Sequence, residues 1–559
     1  MRRGGAYVLK QWQGRAALAG GPLGESYEKV RRNFYTGIDP RRHAETYAGM
    51  HPDSYAEPEF TGKYLDLCAY FYTRDKDARA LENGMRVVRS IAENQRADGY
   101  LGCLAAGREL RAFSIWNHGF TLYGLTRMYE ATGDAAILAL AEKAGDWLAE
   151  LFLQENAPEI LDAGNQGSQH ISCLYFMGRL YAVTKKPRYA EFLHFVMRHC
   201  EQTAMNLLSF GDILSLMSQK GIEMLVVYLG VLQYGLLFDR PEAVAAARRY
   251  WRQVRDTQIR NTGNGTIREV WTKDGNAPRL MPTEEKPNET CVAAGWMELS
   301  LALFAQEPRA CYLDALEQTL FNHLLGSLEK NGADLAYYQG NWGRKIYRTG
   351  EGMYQCCRYR GYTLFSYLPE YLYAYDGETL IPLLYAPSEF TAEGLRARQE
   401  TEYPRVGSVR LCVENAGGEK RLLLRIPGWC ESWRLFVNGR LCASAPQAGF
   451  LALPLPPGKT NVLFEMDTPL RSQRHSIQGR PYASFQYGPL LLARDTHDGG
   501  TLWRPLRPDT PFERRPAADT LARFEGPGET LVDFASAGGR DPERDEYAVF
   551  IPLLESEPR

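Results

Sequence analysis

A chain of 559 residues and 63.3 kDa is too long for a single small binding module; at roughly 150 residues per domain it makes three or four units, fewer if one is a large barrel. Apolar residues at 45% and charged residues at 24% place it among core-forming proteins and away from disordered ones. Lys plus Arg (65) nearly balance Asp plus Glu (67), for a net charge of -2, so no basic surplus exists and the composition argues against a nucleic-acid partner.

The opening MRRGGAYVLKQWQG is basic but has no apolar run of signal-peptide length, and the 11 cysteines are an odd number. Both point to a reducing, cytoplasmic setting with free thiols. Residues 62–74, 77–94, 116–132, 135–153, 169–183, 187–206 and 241–258 carry apolar side chains at three and four spacing and predict helices. Stop signals separate them, such as Thr132-Gly133-Asp134 and Lys185-Lys186-Pro187. The most apolar stretch, 222–238, contains Glu223 and Gln233 and is short of the ~20 apolar residues of a membrane span, so it predicts a core helix and no membrane partner. Successive helix pairs over residues 1–375 predict a toroid or barrel of helical hairpins.

Proline marks the end of that region: 12 of 31 precede residue 376 and 19 follow it. Beyond it, short runs at 408–413, 421–426, 433–437, 450–453, 461–466 and 482–492 predict strands at sandwich spacing. Asn438-Gly439 is a hairpin signal, since both residues tolerate the positive φ of a type I′ turn. Residues 376–494 are therefore expected to form a beta-sandwich and 495–559 a beta-rich extension with one strand near 546–553.

Aromatic residues make up 12%, as a sugar-binding cleft or a large aromatic core would require. The densest group of metal-capable side chains is Glu289, Cys291 and the pair Cys356-Cys357, the two parts 65 residues apart. That gap is too long for a zinc ribbon, so a site would have to be assembled by the fold. Adjacent cysteines rarely pair with each other, which leaves buried inert thiols or thiolates on a soft metal.

The segments Asn288-Glu-Thr-Cys291, Glu317-Gln-Thr-Leu-Phe-Asn322, Cys356-Cys357 and Tyr367-Leu-Pro-Glu-Tyr-Leu-Tyr373 occur in one order with Asp98-Gly-Tyr-Leu-Gly102, Gln169-His170, Leu424-Arg-Ile-Pro-Gly-Trp429 and Tyr487-Gly-Pro-Leu490. Over most of its length the chain thereby resembles glycoside hydrolase family 127, the beta-L-arabinofuranosidase family. The resemblance implies a multidomain α + β chain, an (alpha/alpha)6 barrel followed by C-terminal beta-sandwich modules. It implies retaining hydrolysis of a terminal sugar from a small oligosaccharide or glycoside, and a homodimer. It further implies a zinc ion on Glu289, Cys291, Cys356 and Cys357, with Cys356 as nucleophile.

A family acid/base glutamate upstream of the Glu-Thr-Cys motif corresponds to Glu269 in Gly263-Asn-Gly-Thr-Ile-Arg-Glu269, 20 residues before Glu289. Glu284 and Glu285 compete for the role but sit in a charged, proline-flanked loop. His118, His170 and Glu317 correspond to sugar-binding positions, and Lys220 stands near where a third family histidine would fall. An ammonium there would favour an anionic or differently hydroxylated sugar, and Arg358 after the cysteine pair is either a solvent-facing surface residue or a carboxylate-binding group beside Lys220. Three rival readings follow: a uronate-processing hydrolase using carboxylates alone, a silent sugar-binding protein that keeps zinc for stability, and a helical-scaffold interaction protein.

Overall fold

The computed structural model describes residues 12–48, 57–102, 109, 113–154, 164–347, 356–497 and 499–554. Among them are thirteen helices of nine residues or more: α1 Gly21–Gly37, α2 Pro40–Ala48, α3 Glu57–Asp75, α4 Ala78–Asn94, α5 Ser114–Thr132, α6 Ala135–Phe152, α7 Cys173–Thr184, α8 Pro187–Glu201, α9 Gly221–Leu237, α10 Pro241–Thr257, α11 Thr290–Gln306, α12 Ala310–Gln318 and α13 Cys356–Ser366. The punctuation seen in the sequence does this work. Asp77 caps α4 by accepting from the amides of Arg79 and Ala80, Gly133 ends α5 with φ 74, and Pro187 opens α8. A carboxylate at such a position satisfies amides that have no helical partner.

Two kinds of helix alternate. Along α5, α9 and α11 nearly every residue is buried, whereas α4 and α10 bury one stripe, Val87, Val88 and Ile91 in the first and Ala243, Ala247, Tyr250 and Val254 in the second. Helices apolar all round lie inside and amphipathic ones outside, the arrangement of an (alpha/alpha)6 barrel. The closest approach is between α3 and α5. A Cβ on Gly62 would stand 2.1 Å from the Phe120 carbonyl oxygen, so only glycine lets these helices meet. Their contact sets the first turns of both side by side.

The C-terminal part is all strand. A seven-stranded sheet runs in the order Arg15–Leu18, Ser388–Ala392, Leu395–Thr401, Ser408–Asn415, Gly458–Met466, Trp433–Val437, Arg440–Leu441. It packs with a four-stranded sheet of Phe450–Leu455, Lys420–Arg425, Thr379–Pro382 and Tyr373–Tyr375 to form a sandwich. Asn438 and Gly439 have φ 50 and 79, the turn their identities predict.

A third sheet crosses the expected boundary at 494/495. Leu490–Asp495 pairs with Glu529–Asp533 and with Tyr547–Ala548, which in turn pairs with Trp342–Gly343 from the barrel. The extension is thus the continuation of a sheet that begins at Leu470–Ile477, not a separate appendage. Its short, charged, proline-broken strands hide that pairing from a periodicity reading.

A buried ion pair joins barrel to sandwich. The Arg425 guanidinium, 0% exposed, bonds Glu317 on α12, which also accepts from Tyr403 Oη at 2.8 Å and Trp429 Nε1 at 3.2 Å. Removing one partner of such a pair leaves an uncompensated buried charge. Arg425→Met is expected to cost about 3–5 kcal/mol of stability by denaturant titration. A loss below about 1 kcal/mol would show that the joint does not depend on this pair.

Candidate active site

Seven segments converge on one cavity of about 200 Å³ at the barrel's end, lined among others by Glu59, Lys63, Trp116, Phe120, Lys220, Glu223, Glu269, Glu289, Cys291, Tyr337 and Cys356. Glu289 is the residue before α11 and Cys291 lies in its first turn, while Cys356 and Cys357 open α13. Two helix N-termini therefore face the cluster, where their unpaired amides favour negative charge.

The sulfur of Cys291 is 3.4 Å from that of Cys356 and 3.3 Å from that of Cys357; Cys356 and Cys357 are 4.0 Å apart. Glu289 Oε1 lies 3.9 Å from Cys357 Sγ, and the four ligand atoms fall within 4.8 Å of one another. A tetrahedral ion with sulfurs at about 2.3 Å has ligand edges of about 3.8 Å. The group fits such an ion, and two further observations agree. Cys291, Cys356 and Cys357 form no disulfide, and Glu289 Oε2 is buried without a hydrogen-bond partner, a costly state for a carboxylate unless a cation compensates it.

The cluster is electrostatically asymmetric. Burial pushes the Cys291 and Cys357 thiols up, and burial with the facing charges of Glu269 and Cys356 does the same for Glu289. Hydrogen bonds from Cys291 and Cys357 hold Cys356 well below the usual thiol range against its burial, helped by the Lys63 ammonium and the Tyr337 hydroxyl 3.3 Å away. Cys356 is thus the sulfur of the three whose surroundings favour the thiolate, and it is partly exposed where Cys291 and Cys357 are buried.

Glu269 reaches the cavity from a strained turn. Ile267 and Val270 exchange both backbone hydrogen bonds, at 3.2 and 3.1 Å, and the residues between them, Arg268 and Glu269, have φ 48 and 70. This is a tight hairpin of the type I′ kind made without glycine, where each left-handed residue costs about 1–2 kcal/mol. Lys220 bridges Val270 and the Gly221 amide donates to the Glu269 carbonyl at 2.8 Å, so the turn is pinned to the start of α9. The carboxylate is gripped from both sides, Tyr338 Oη donating to Oε1 and Lys220 Nζ to Oε2. Burial alone would lower the Lys220 ammonium, but Glu269, Glu289 and Glu223 outweigh it and raise it.

Other predicted residues fall elsewhere. Glu284 and Glu285 are exposed in a 3-10 turn. Glu317 is consumed by the Arg425 pair at the domain joint and is outside the cavity. His118 is fully buried with both ring nitrogens used: Nδ1 accepts from the Leu101 amide and Nε2 bonds the Ala144 carbonyl, each at 3.0 Å. His170 is buried edge-on to Phe152 and does not line the cavity, although its neighbours Ser168 and Gln169 hold the cavity's Glu223 at 2.5 and 3.1 Å. Arg358 lies over the Tyr362 ring, 5.4 Å from its centre, and not beside Lys220. Residues that the sequence reading did not single out complete the wall. Glu59 and Lys63, one helical turn apart on α3, form an ion pair that is 8% and 3% exposed, and Lys63 lies 4.7 Å from the centre of the Phe120 ring.

Set against known proteins, the chain matches the sequence profile described as Beta-L-arabinofuranosidase, GH127 catalytic domain, over residues 22–370, and that of the GH127 middle domain over 379–460. The chain belongs to glycoside hydrolase family 127. It is 24% identical over 519 residues to the non-reducing end beta-L-arabinofuranosidase of Bifidobacterium longum subsp. longum, the match covering 79% of this chain and 76% of that one. Among solved structures, a GH127 beta-L-arabinofuranosidase from Geobacillus stearothermophilus T6 superposes with a TM-score of 0.77 at 17% identity, covering 96% of this chain and 100% of the other. A GH127 beta-arabinofuranosidase gives a TM-score of 0.82 at 16% identity and 98% coverage of both chains. This family 127 member is a glycoside hydrolase with a four-residue cluster able to bind a metal, and among its described residues no helix is long and apolar enough to cross a membrane.

Proposed function

We propose that this family 127 enzyme is a zinc-dependent, retaining beta-L-arabinofuranosidase of a reducing compartment, with Cys356 as nucleophile and Glu269 as acid and base. What supports the reading is the meeting, in one small cavity, of the partly exposed Cys356 sulfur of the Glu-Cys-Cys-Cys cluster and a carboxylate held by two donors on a strained turn. Zinc would be held by Glu289, Cys291, Cys356 and Cys357 and would supply thiolate in place of thiol.

In the form that starts the reaction Glu269 carries a proton on one oxygen; Cys356 Sγ attacks the anomeric carbon as the bond to the leaving oxygen breaks, and Glu269 gives that proton to the oxygen and becomes the carboxylate. In the second step Glu269 takes a proton from water, the water oxygen bonds the anomeric carbon, and the C–S bond breaks to return the thiolate. Two displacements restore the original configuration, as in retaining enzymes with paired carboxylates. Lys220 and Tyr338 hold the Glu269 carboxylate in its base form, the one the second step needs. Trp116, Phe120 and Phe60 line the cavity and are the aromatic side chains that an apolar side of the sugar would meet.

Lys220 also bears on the substrate. Its ammonium is paired with Glu269, Lys63 with Glu59 and Arg360 with Glu298, so each cation among the described lining residues already has a carboxylate. That favours a neutral sugar over the anionic one expected from Lys220 alone. The zinc-loaded chain is expected to release nitrophenol from the beta-L-arabinofuranoside and not from the alpha anomer or an aryl glucuronide. Cleavage of the glucuronide, or no turnover of any of the three, would overturn the assignment.

A further inference from the structure

A second cavity, of about 350 Å³, lies where the loop after α10 meets the third sheet, and it shares no lining residue with the cysteine cavity. Arg260 and Arg279 line it, with Thr262, Asn341, Gln473 and His475. No carboxylate is among the described lining residues, and neither arginine forms an ion pair with a described residue.

Arg260 is the decisive group. It is 7% exposed, and only Nη1 is satisfied, by the Thr266 carbonyl at 3.2 Å and Asn288 Oδ1 at 2.7 Å. Its Nε and Nη2 are buried without partners, as is Thr262 Oγ1 in the same wall. A buried guanidinium with two unused donors and no counter-ion is among the most costly arrangements a protein interior holds. The neighbouring Arg279 adds to the cost, and burial with this like charge lowers Arg260 to about 9. Arginine's planar fork suits oxyanions, whose paired oxygens it meets with parallel N–H bonds.

We infer that this cavity is an oxyanion site, in which Arg260 and Arg279 bind a phosphate or carboxylate group carried alone or on a sugar-sized molecule. Its volume is at the lower end of small-molecule pockets, and the Gln473 carboxamide and the unpartnered Thr262 hydroxyl add neutral polar groups to the lining, while the Asn341 carboxamide is bonded to the Arg279 carbonyl and the Met281 amide. The same Arg260 bonds Asn288, next to Glu289, so the site stands behind the cysteine cluster and is independent of which sugar is cleaved there.

The test is thermal denaturation and titration calorimetry of the full chain with inorganic phosphate, D-glucuronate and L-arabinose, each against potassium chloride of equal ionic strength. Phosphate or glucuronate is expected to raise Tm saturably, by about 3 °C at a hundredfold excess over Kd, and arabinose is not. Whichever of the two saturates at lower concentration identifies the anion carried. Arg260→Gln is expected to abolish the shift and Arg279→Gln to weaken binding on the order of tenfold. Should Arg260→Gln not fold, Arg260→Lys with Arg279→Gln gives the same reading. No shift beyond the chloride control, or an equal shift in the arginine variants, overturns the site.

Discussion

Cys356→Ser is expected to lower kcat on an aryl beta-L-arabinofuranoside by at least ~10³-fold, because it removes the covalent route and leaves only binding and Glu269. A serine hydroxyl at that position is not ionised near neutral pH, whereas the environment of Cys356 favours the thiolate through Cys291, Cys357, Lys63 and Tyr337. Since Cys356 belongs to the proposed metal site as well, loss of activity has to be separated from loss of metal. Rapid acid quench of the wild-type enzyme with a slowly turned-over substrate, followed by peptide mass analysis, is expected to place one anhydropentose on the peptide that contains Cys356. An adduct on a carboxylate, or a Cys356→Ser enzyme of near wild-type rate, would remove the cysteine from the mechanism.

Glu269→Gln is expected to reduce turnover of a poorly activated glycoside by about 10²–10⁴-fold, the range for a positioned proton donor and acceptor. The two steps should respond differently. With a dinitrophenyl leaving group, which needs no proton, kcat/KM is expected to stay within a few-fold of wild type. The second step, which needs a base, stays slow, so a burst of dinitrophenol should precede slow turnover. Azide, which attacks without base assistance, is expected to restore the rate. Equal damage from Glu284→Gln or Glu285→Gln, or no burst, would show that another carboxylate serves.

The legible parts of the protein were those written in local pattern. Alternating runs and caps such as Asp77, Gly133 and Pro187 place the helices of the barrel, and Asn438-Gly439 places a hairpin. The metal-capable set was legible from the residues alone only as residue types, and as a cluster only through the family resemblance, because nothing in a 65-residue gap says that two helix N-termini face each other. Glu59 and Lys63 were visible only as an i, i+4 pair of the sort found on any solvated helix; their burial depends on Gly62 drawing α3 against α5. His118 lies apart from the cavity lining for a complementary reason. Its ring points at backbone groups of a loop and a neighbouring helix, a use of histidine that sequence does not separate from sugar binding. Glu317 likewise reads as a site carboxylate until Arg425, 108 residues away, claims it. Two successive left-handed residues at Arg268-Glu269 carry no sequence signature, since turns of that shape normally announce themselves by Asn or Gly.

The most direct test of the central claim is X-ray absorption at the zinc edge on the purified full chain, with metal content measured on the same sample. The account predicts one zinc per chain with three sulfurs at about 2.3 Å and one oxygen at about 2.0–2.2 Å, losing sulfur scatterers in Cys291→Ser. A chain that is active without stoichiometric zinc, or a zinc shell of nitrogen and oxygen alone, would contradict it.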